Sequence, residues 1–286
     1  MKANGNMVDL HTHSVFSDGT DTPEELIKKA QAMGLRAIAL CDHNSVNGLP
    51  RFLAAAQGSA VHAVAGVEFS AEYSGMELHI LGMFLPQQSY EKVTEITNAF
   101  HAAKKASNFQ LVQRLEEKGY AISWEELTSR AQGGYINRAH IGALLTEKGC
   151  TQSIQQAFQT VLGEKHGLYV PPNRPSAFAI IEEIRKMHAV PVLAHPFLSL
   201  DETALCVFLD RAVDHGLLGM ETYYPLYDPK KTALSMEIAE KYNLAQSGGS
   251  DYHGKNKPHI AMGTGMDNLQ IDDTIYQRLL EISKTM

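Results

Sequence analysis

Residues 7–18, with the sequence MVDLHTHSVFSD, combine a short apolar run with a dense group of potential metal ligands. The run from Met7 to Leu10 predicts a β-strand, and His11, His13 and Asp18 follow it closely. Imidazole and carboxylate groups directly after a strand are typical of loops that bind metal ions. This stretch therefore predicts an α/β fold whose site lies where the strands end.

The same arrangement recurs further along the chain. Cys41-Asp42-His43 follows the apolar run Ala37–Cys41, and Gly-Ser-Asp-Tyr-His at 249–253 follows another predicted strand. Glu68 and His195 also stand at or just beyond the ends of predicted strands. In a β/α barrel the C-terminal ends of the strands form one rim, so these side chains are predicted to meet there.

Seven strands are predicted, most of them separated by helices, and this alternation favours a parallel β/α barrel. One helix is especially clear, because Thr22 and Glu25 form a capping-box pattern and Gly34 marks its end. The predicted strands are Met7–Leu10, Ala37–Cys41, Val61–Val67, Glu77–Phe84, Pro191–His195, Leu218–Tyr223 and Leu244–Ser247.

After Pro86 the sequence becomes almost entirely helical, and β/α alternation returns only after a proline-rich stretch at 169–175. We interpret the helical part as a module inserted into the barrel. The predicted division is residues 1–87 for the first part of the barrel, 88–168 for the inserted helical substrate-binding module, and 169–286 for the second part of the barrel.

Composition excludes several classes of protein. The chain has 286 residues and a formal net charge of −7, which argues against a broad basic surface for duplex nucleic acid. It contains no apolar stretch of the length a membrane helix needs and no signal-peptide pattern, so a cytoplasmic location is expected. Cys41, Cys150 and Cys206 lie far apart and form no CxxC pair, so we expect buried thiols rather than disulfides or a thiolate zinc site.

Five motifs occur in the order DLHTHSVFSDGT, DHN, GVEFS, AHP and GSDYHG. In this order the chain resembles the PHP (polymerase and histidinol phosphatase) superfamily, and the resemblance covers the barrel portion. It implies a distorted (β/α)7 TIM-like barrel, the PHP fold, that holds two or three divalent metal ions.

The resemblance also implies how the ligands are shared. His11, His13, Glu68 and Asp251 would surround a first ion, and a bridging Glu68 would join His79 and His195 around a second. Asp18, His43 and His253 would hold a third ion, and Asp42 would orient a ligand imidazole from behind. The residues implied in catalysis are Asp18, Asp42, His43 and His253. Mixed nitrogen and oxygen ligands suit Mn²⁺, Zn²⁺ or Fe²⁺ without choosing among them.

Such a centre suits phosphate chemistry. Three carboxylates, Asp18, Glu68 and Asp251, contribute −3 and three divalent ions would contribute +6, leaving about +3 in an otherwise acidic protein. The predicted reaction is phosphoester hydrolysis by a metal-activated hydroxide without a covalent enzyme intermediate. No GxSxG or GxxxxGK[ST] pattern occurs, so neither a serine nucleophile elbow nor a P-loop competes with this interpretation.

Substrate choice is predicted to depend on the helical module. Asn137, Arg138 and His140 open a helix, where free backbone N–H groups and an arginine suit a phosphate. This group resembles the PHP subgroup that removes the 3'-phosphate of nucleoside 3',5'-bisphosphates and trims short RNA in the 5' to 3' direction. Arg174 and Lys255 are weaker candidates for the same pocket. Tyr223 and Tyr224 could stack a base or fill the core, and they are not counted among the site residues.

Two alternatives remain at this stage. One is a phosphatase for another small metabolite such as histidinol phosphate, although a substrate with one phosphate needs no second anion clamp. The other is a non-enzymatic or polymerase-associated PHP module, which the absence of an attached polymerase domain disfavours. The expected partner is therefore a small phosphorylated substrate, a nucleotide or short oligoribonucleotide, with no membrane and no obligate protein partner.

Overall fold

The structure is a computed structural model that describes residues 6–130 and 136–286. The chain divides into two compact units, one formed by Met1–Thr94 with Arg174–Met286 and the other by Glu95–Asn173. The helical module predicted for 88–168 overlaps the second unit, while its boundaries stay a prediction.

The first unit is built on one curled sheet. Within the described residues, seven strands lie in the order β1 to β7. Beyond β7 the chain returns to β1, because the His13 N–H donates to the Tyr252 carbonyl at 2.9 Å and the Asp251 N–H donates to the His11 carbonyl at 2.9 Å. These bonds nearly close the sheet, and the predicted TIM-like barrel is confirmed. The strands are β1 Val8–Thr12, β2 Ala37–Leu40, β3 His62–Tyr73, β4 Met76–Met83, β5 Val190–Leu193, β6 Gly219–Tyr223 and β7 Ala245–Gly248.

The prediction of parallel strands is wrong for β4. This strand pairs antiparallel with both β3 and β5, whereas the other neighbours pair in parallel. Strands β3 and β4 are joined by only Ser74 and Gly75, whose φ angles are 51° and 80°. Two residues with positive φ make a hairpin turn, and a parallel connection would need a much longer crossover.

The helices follow the predicted alternation. The side chain of Thr22 accepts from the backbone N–H of Glu25 and the Glu25 side chain accepts in return, so the predicted capping box is present, and Gly34 ends the helix with a φ of 73°. The ten α-helices of the described residues are α1 Pro23–Met33, α2 Leu49–Ala56, α3 Tyr90–Glu117, α4 Trp124–Arg130, α5 Arg138–Glu147, α6 Ile154–Ala157, α7 Ala177–Lys186, α8 Glu202–Ala212, α9 Pro229–Lys241 and α10 Asp273–Ser283.

The barrel interior is filled by aliphatic side chains from the strands. Leu10, Ala39, Leu81 and Val192 are among the buried members of this core, against which α10 packs Leu279. Cys41 belongs to the same core, as expected for a buried thiol, but Cys150 is exposed and Cys206 is only partly buried. The prediction of buried thiols therefore holds for one of the three cysteines.

The second unit has its own hydrophobic core, in which Leu111 and Leu115 of α3 meet Ile141 and Leu145 of α5 and the buried Leu162. Ser123 and Glu126 form a capping box at the start of α4. Among the described helices, including the 28-residue α3, none combines the length and apolar character needed to cross a bilayer.

Gly249 packs tightly against His11 of β1 directly after β7. A Cβ atom at this position would lie 2.4 Å from the backbone nitrogen of His11 and 2.5 Å from its Cβ. We expect Gly249→Ala to lower the free energy of unfolding by about 3 kcal/mol, because backbone cannot yield as a flexible side chain can.

The matched control is Gly58→Ala. Gly58 has a φ of +74°, and a Cβ atom added there would have no heavy atom within 4 Å, so only the cost of the left-handed conformation applies, about 1 kcal/mol. Urea denaturation of both variants without added metal would compare the two costs. Equal losses of unfolding free energy in the two variants would show that the backbone of His11 does not exclude a side chain at position 249.

Candidate metal centre

The nine residues predicted as metal ligands all lie in the first unit, at one mouth of the barrel. Glu68 lies in β3, and the antiparallel direction of β4 turns the N-terminal half of that strand, which contains His79, toward the same mouth. The remaining ligands come from β1, or from segments that follow β1, β2, β5 and β7; they are His11, His13, Asp18, His43, His195, Asp251 and His253.

Glu68 is the centre of the cluster and is fully buried. Its Oε1 lies 2.7 Å from His79 Nδ1 and 3.0 Å from His195 Nε2. Its Oε2 lies 3.0 Å from His43 Nδ1 and 3.3 Å from the Nε2 atoms of both His11 and His13. One carboxylate thus faces five imidazoles, which is the position expected of a bridging ligand.

Asp251 and Asp18 complete the cluster on the other side of His13. Asp251 Oδ1 lies 3.1 Å from His13 Nε2, and Asp18 Oδ1 lies 3.1 Å from His253 Nε2. Among the described residues, four groups could each hold a metal ion, because the ligand atoms within each group lie within 4.8 Å of one another. Together the four groups include all nine predicted ligands. The groups are His13 with Asp18, His43 and His253; His11 with Glu68 and His195; His11 with His13 and Asp251; and His43 with Glu68 and His79.

Several buried polar atoms of the cluster have no hydrogen bond, and divalent cations would satisfy them. Asp18 Oδ1, Glu68 Oε2 and His79 Nδ1 are buried and form no hydrogen bond, although each has a nitrogen or oxygen atom of a neighbour nearby. Buried polar atoms are normally hydrogen-bonded. Each of these three unsatisfied atoms lies within 3.1 Å of a possible ligand atom of a neighbouring residue, as expected where two side chains share a cation. Ligand atoms about 2 Å from an ion lie about 3 to 4 Å apart, which is the spacing found here.

The carboxylates of the cluster are ionised. Burial disfavours the charged form of Glu68, but His43, His79 and His11 hold its pKa well below the ordinary value. Asp251 behaves in the same way, because the charges of Lys257 and His253 lower its pKa against the effect of burial. The centre therefore offers negative oxygen ligands at neutral pH.

Backbone strain accompanies the site. Asp251 has a φ of 52° and His195 a φ of 25°, and Asn44, directly after His43, has a φ of 51°. Non-glycine residues adopt positive φ at a cost of about 1 to 3 kcal/mol, which the surrounding bonds must offset. At Asn44 the offset is visible, because its side-chain oxygen accepts from the Ser70 N–H at 3.0 Å.

The role predicted for Asp42 needs correction. Its oxygens accept hydrogen bonds from the Ser14 N–H at 2.7 Å, the Ser14 hydroxyl at 2.6 Å and the Ser17 hydroxyl at 2.6 Å. The Ser17 hydroxyl lies 3.5 Å from His13 Nδ1, so Asp42 reaches an imidazole only through a serine. Asp42 therefore holds the loop after β1 rather than orienting a ligand ring directly.

Three residues at the site escaped the sequence prediction. Tyr224 donates from its hydroxyl to Asp251 Oδ2 at 2.9 Å, and Lys257 Nζ lies 2.7 Å from the same oxygen. The buried Glu221 contacts His11. The sequence suggested only base stacking or core packing for Tyr224, whereas its hydroxyl contacts a candidate ligand.

Arg174 and Lys255, the weaker candidates for phosphate binding, contact residues other than the nine predicted ligands. Lys255 is exposed and its backbone N–H donates to Thr20 Oγ1 at 2.9 Å, while Lys257 is the lysine that contacts the cluster. Arg174 donates to Glu77 Oε2 at 2.6 Å.

The predicted substrate-binding residues lie in the second unit, at the start of α5. The Asn137 side chain accepts from the His140 N–H, and His140 Nδ1 accepts from the Asn137 N–H, both at 3.1 Å. The Arg138 guanidinium lies over the Tyr169 ring at 4.0 Å and also faces Phe158 at 5.5 Å. The helix begins where predicted, but the His140 N–H is used by the Asn137 cap, and the arginine is held by aromatic stacking and by a 3.5 Å contact of its Nη1 with the Leu162 carbonyl.

Comparison with known families agrees with this geometry. The PHP domain profile matches residues 9–171, which is more than half of the chain. The chain belongs to the PHP domain family. It is a metal-dependent phosphoesterase of that family and a hydrolase that acts on phosphoester bonds.

Relatives of this PHP protein have several substrates. It is 29% identical over 248 residues to a 5'-3' exoribonuclease from Haemophilus influenzae, covering 86% of this chain and 89% of the relative. It is 28% identical over 263 residues to a phosphoribosyl 1,2-cyclic phosphate 1,2-diphosphodiesterase from Eggerthella lenta, covering 88% and 97%. It is 26% identical over 285 residues to a 3',5'-nucleoside bisphosphate phosphatase from Chromobacterium violaceum, covering 95% and 96%.

A solved structure supports the same family. A protein from Bifidobacterium adolescentis predicted to be a metal-dependent phosphoesterase is 27% identical and superposes with a TM-score of 0.86, covering 96% of both chains. The similarity extends beyond the residues matched by the PHP domain profile.

Proposed function

We propose that this PHP protein removes the 3'-phosphate of nucleoside 3',5'-bisphosphates and trims short RNA in the 5' to 3' direction. The observation that carries the phosphoesterase part is the convergence of nine potential ligands around Glu68. The nucleotide part is supported by the similarity to an exoribonuclease and a nucleoside bisphosphate phosphatase.

The proposed cofactors are two or three divalent ions, Mn²⁺, Zn²⁺ or Fe²⁺. His11, His13, Glu68 and Asp251 would hold the first, and Glu68, His79 and His195 the second. Asp18, His43 and His253 would hold the third. When bound, the ions supply Lewis acidity to a phosphoryl group and lower the pKa of a water molecule.

The protein's own contribution is positioning. Tyr224 and Lys257 both contact Asp251 Oδ2, so its Oδ1 is directed toward His13. Asp42 holds Ser14 and Ser17, and thereby the loop that leads to Asp18. Groups fixed in this way need little reorganisation during the reaction, which is the main source of electrostatic catalysis. We propose Asp18, His43 and His253 as the ligands nearest the reacting phosphate.

Substrate discrimination is proposed to involve the helix start at Asn137, Arg138 and His140. The guanidinium of Arg138 stacks on Tyr169 through its face, and its Nη1 donates to the Leu162 carbonyl at 3.5 Å. Bidentate hydrogen bonds to a phosphate would use the edge of the guanidinium and would compete with that long contact. The N-terminus of α5 adds backbone N–H groups and a positive dipole end. A substrate with a second phosphate would gain from both.

A panel of phosphorylated compounds tests the proposal. We expect adenosine 3',5'-bisphosphate and a short 5'-phosphorylated oligoribonucleotide to give a kcat/KM at least about tenfold above histidinol phosphate, since one charged hydrogen-bonded contact contributes about 1.5 to 3 kcal/mol. Released phosphate and nucleotide products would be measured with added Mn²⁺.

Two further outcomes of that panel separate the alternatives. A preference for histidinol phosphate would support the metabolite phosphatase. A preference for phosphoribosyl 1,2-cyclic phosphate would align the chain with the Eggerthella lenta relative. Either result would remove the nucleoside bisphosphate from the proposal while leaving the metal centre in place.

A further inference from the structure

Glu221 is a fully buried carboxylate in the middle of β6 that contacts two candidate ligand residues. Its Oε1 lies 2.9 Å from His11 Nδ1. Its Oε2 accepts a hydrogen bond from the backbone N–H of His195 at 2.8 Å. One side chain thus joins the histidine of β1 to the histidine that follows β5.

The two edges of the His11 ring have different neighbours. Nδ1 faces Glu221, whereas Nε2 lies 3.3 Å from Glu68 Oε2. A carboxylate beside Nδ1 favours the tautomer that carries its proton there, because that tautomer donates a hydrogen bond to the charge. The Nε2 lone pair of His11 is then directed toward Glu68.

His195 is directed to the same place by its backbone. Its φ of 25° is a strained value, and the bond to Glu221 helps to hold its N–H in that conformation. Its Nε2 then lies 3.0 Å from Glu68 Oε1, and its ring stacks against that of His11 with centroids 5.8 Å apart.

An irregularity in β6 begins directly after Glu221 and helps to set the direction of its side chain. The pairing between β6 and β7 is regular up to Glu221 and shifts register between Glu221 and Tyr223. Such irregularities re-aim side chains next to functional sites. Burying a carboxylate costs free energy even when it is partnered. Glu221 contacts only His11 Nδ1 and the His195 N–H among the hydrogen bonds of the described residues, which suggests that its role is to hold these two residues.

We infer that Glu221 is a positioning residue that fixes the direction in which His11 and His195 present their Nε2 atoms to the cations. This inference rests on the metal centre of the proposed function. It assigns Glu221 no contact with substrate. Without it, the His11 ring can turn or change tautomer, and the ligand set is no longer preorganised.

A metal-binding experiment tests the inference. Glu221→Gln keeps the shape of the side chain but removes the charge and one of the two acceptors. We expect its dissociation constant for Zn²⁺, measured by equilibrium with graded chelator, to rise by about 10- to 100-fold.

The matched control is Asp9→Asn. Asp9 is an equally buried carboxylate in β1 that accepts from the Ser250 hydroxyl at 2.6 Å, the Ser250 N–H at 2.8 Å and the Gly263 N–H at 2.7 Å. It also accepts from the His11 backbone N–H at 3.4 Å but contacts no imidazole ring, so it separates the loss of a buried charge from the loss of the contact with His11 Nδ1. We expect the folded fraction of this variant to bind Zn²⁺ far more tightly than Glu221→Gln. Equal affinities in Glu221→Gln and the wild type would overturn the inference, as would equal weakening in both variants.

A measurement on the wild type covers a failure of the variant to fold. In long-range ¹H–¹⁵N spectra of the Zn²⁺-loaded protein labelled with ¹⁵N-histidine, His11 should carry its proton on Nδ1 and bind through Nε2. Ligation through Nδ1 would refute the role of Glu221. A wild type that binds no Zn²⁺ would instead refute the proposed metal centre, so the two failures are distinguishable.

Discussion

Glu68→Gln is expected to lose bound metal and to lower kcat/KM by more than about 100-fold. That exceeds the loss of about 10- to 100-fold in affinity or activity that is typical when a residue only orients a ligand. The reason is the position of Glu68, which places one buried carboxylate within 3.3 Å of five imidazole nitrogens. A bridging ligand contributes to more than one ion, so its loss should affect the whole centre.

Glutamine preserves the volume but not the chemistry. Its NH₂ group would replace either Oε1, which faces His79 and His195, or Oε2, which faces His43 and His11. An NH₂ group in either place presents hydrogen atoms instead of the lone pairs that a cation needs. The substitution also removes one negative charge from a fully buried site. The expected defect is therefore in metal binding first and in turnover as a result.

Metal content after gel filtration and kcat/KM for a chromogenic phosphate ester would be measured together. Glu72→Gln is the matched control, because it makes the same change four residues along β3, where the side chain is only partly buried and accepts from the Gly75 N–H. The control should keep its metal and its activity. A Glu68→Gln enzyme that retains both would show that Glu68 does not bridge the ions.

Much of the barrel could be predicted because its strands are short apolar runs between clear turn and helix signals. The direction of β4 was missed because the strand before it was predicted to end at Val67, whereas β3 continues to Tyr73 and is joined to β4 by Ser74 and Gly75 alone. Those two residues were nevertheless a usable signal, since a turn of that length can only reverse the chain. The error did not displace His79, because its antiparallel strand still delivers it to the mouth of the barrel.

Most candidate ligands could be located because they stand in compact motifs at or just after the predicted end of a strand. His79 lies within β4 and outside those motifs, and only the resemblance to the PHP superfamily indicated it. Glu221 lies in the middle of β6 as a single carboxylate outside any histidine motif, so the sequence offered no signal for it. Lys257 and Tyr224 could not be separated from nearby lysines and tyrosines by spacing alone. Their contacts with Asp251 depend on where the chain after β7 and the loop after β6 meet.

Arg138→Ala is expected to raise KM for adenosine 3',5'-bisphosphate by about 10- to 100-fold, with a much smaller effect on an aryl phosphate. The proposed contact is a charge-assisted bidentate pair with the second phosphate, and a lost contact of this kind costs about 1.5 to 3 kcal/mol. An aryl phosphate has one phosphate, so it has nothing to lose at this position. A change in KM with kcat largely retained would indicate uniform binding of ground state and transition state.

Arg130→Ala is the matched control within the same unit. Arg130 is an exposed arginine of α4 that pairs with Glu147, and exposed ion pairs contribute at most about 1 kcal/mol to stability. The Arg138 variant also loses stacking on Tyr169 and Phe158, so its thermal unfolding must be compared with that of Arg130→Ala. If Arg138→Ala raised KM equally for the bisphosphate and the aryl ester, the effect would be a general disturbance of the helical unit. The second phosphate would then have to be recognised by other residues.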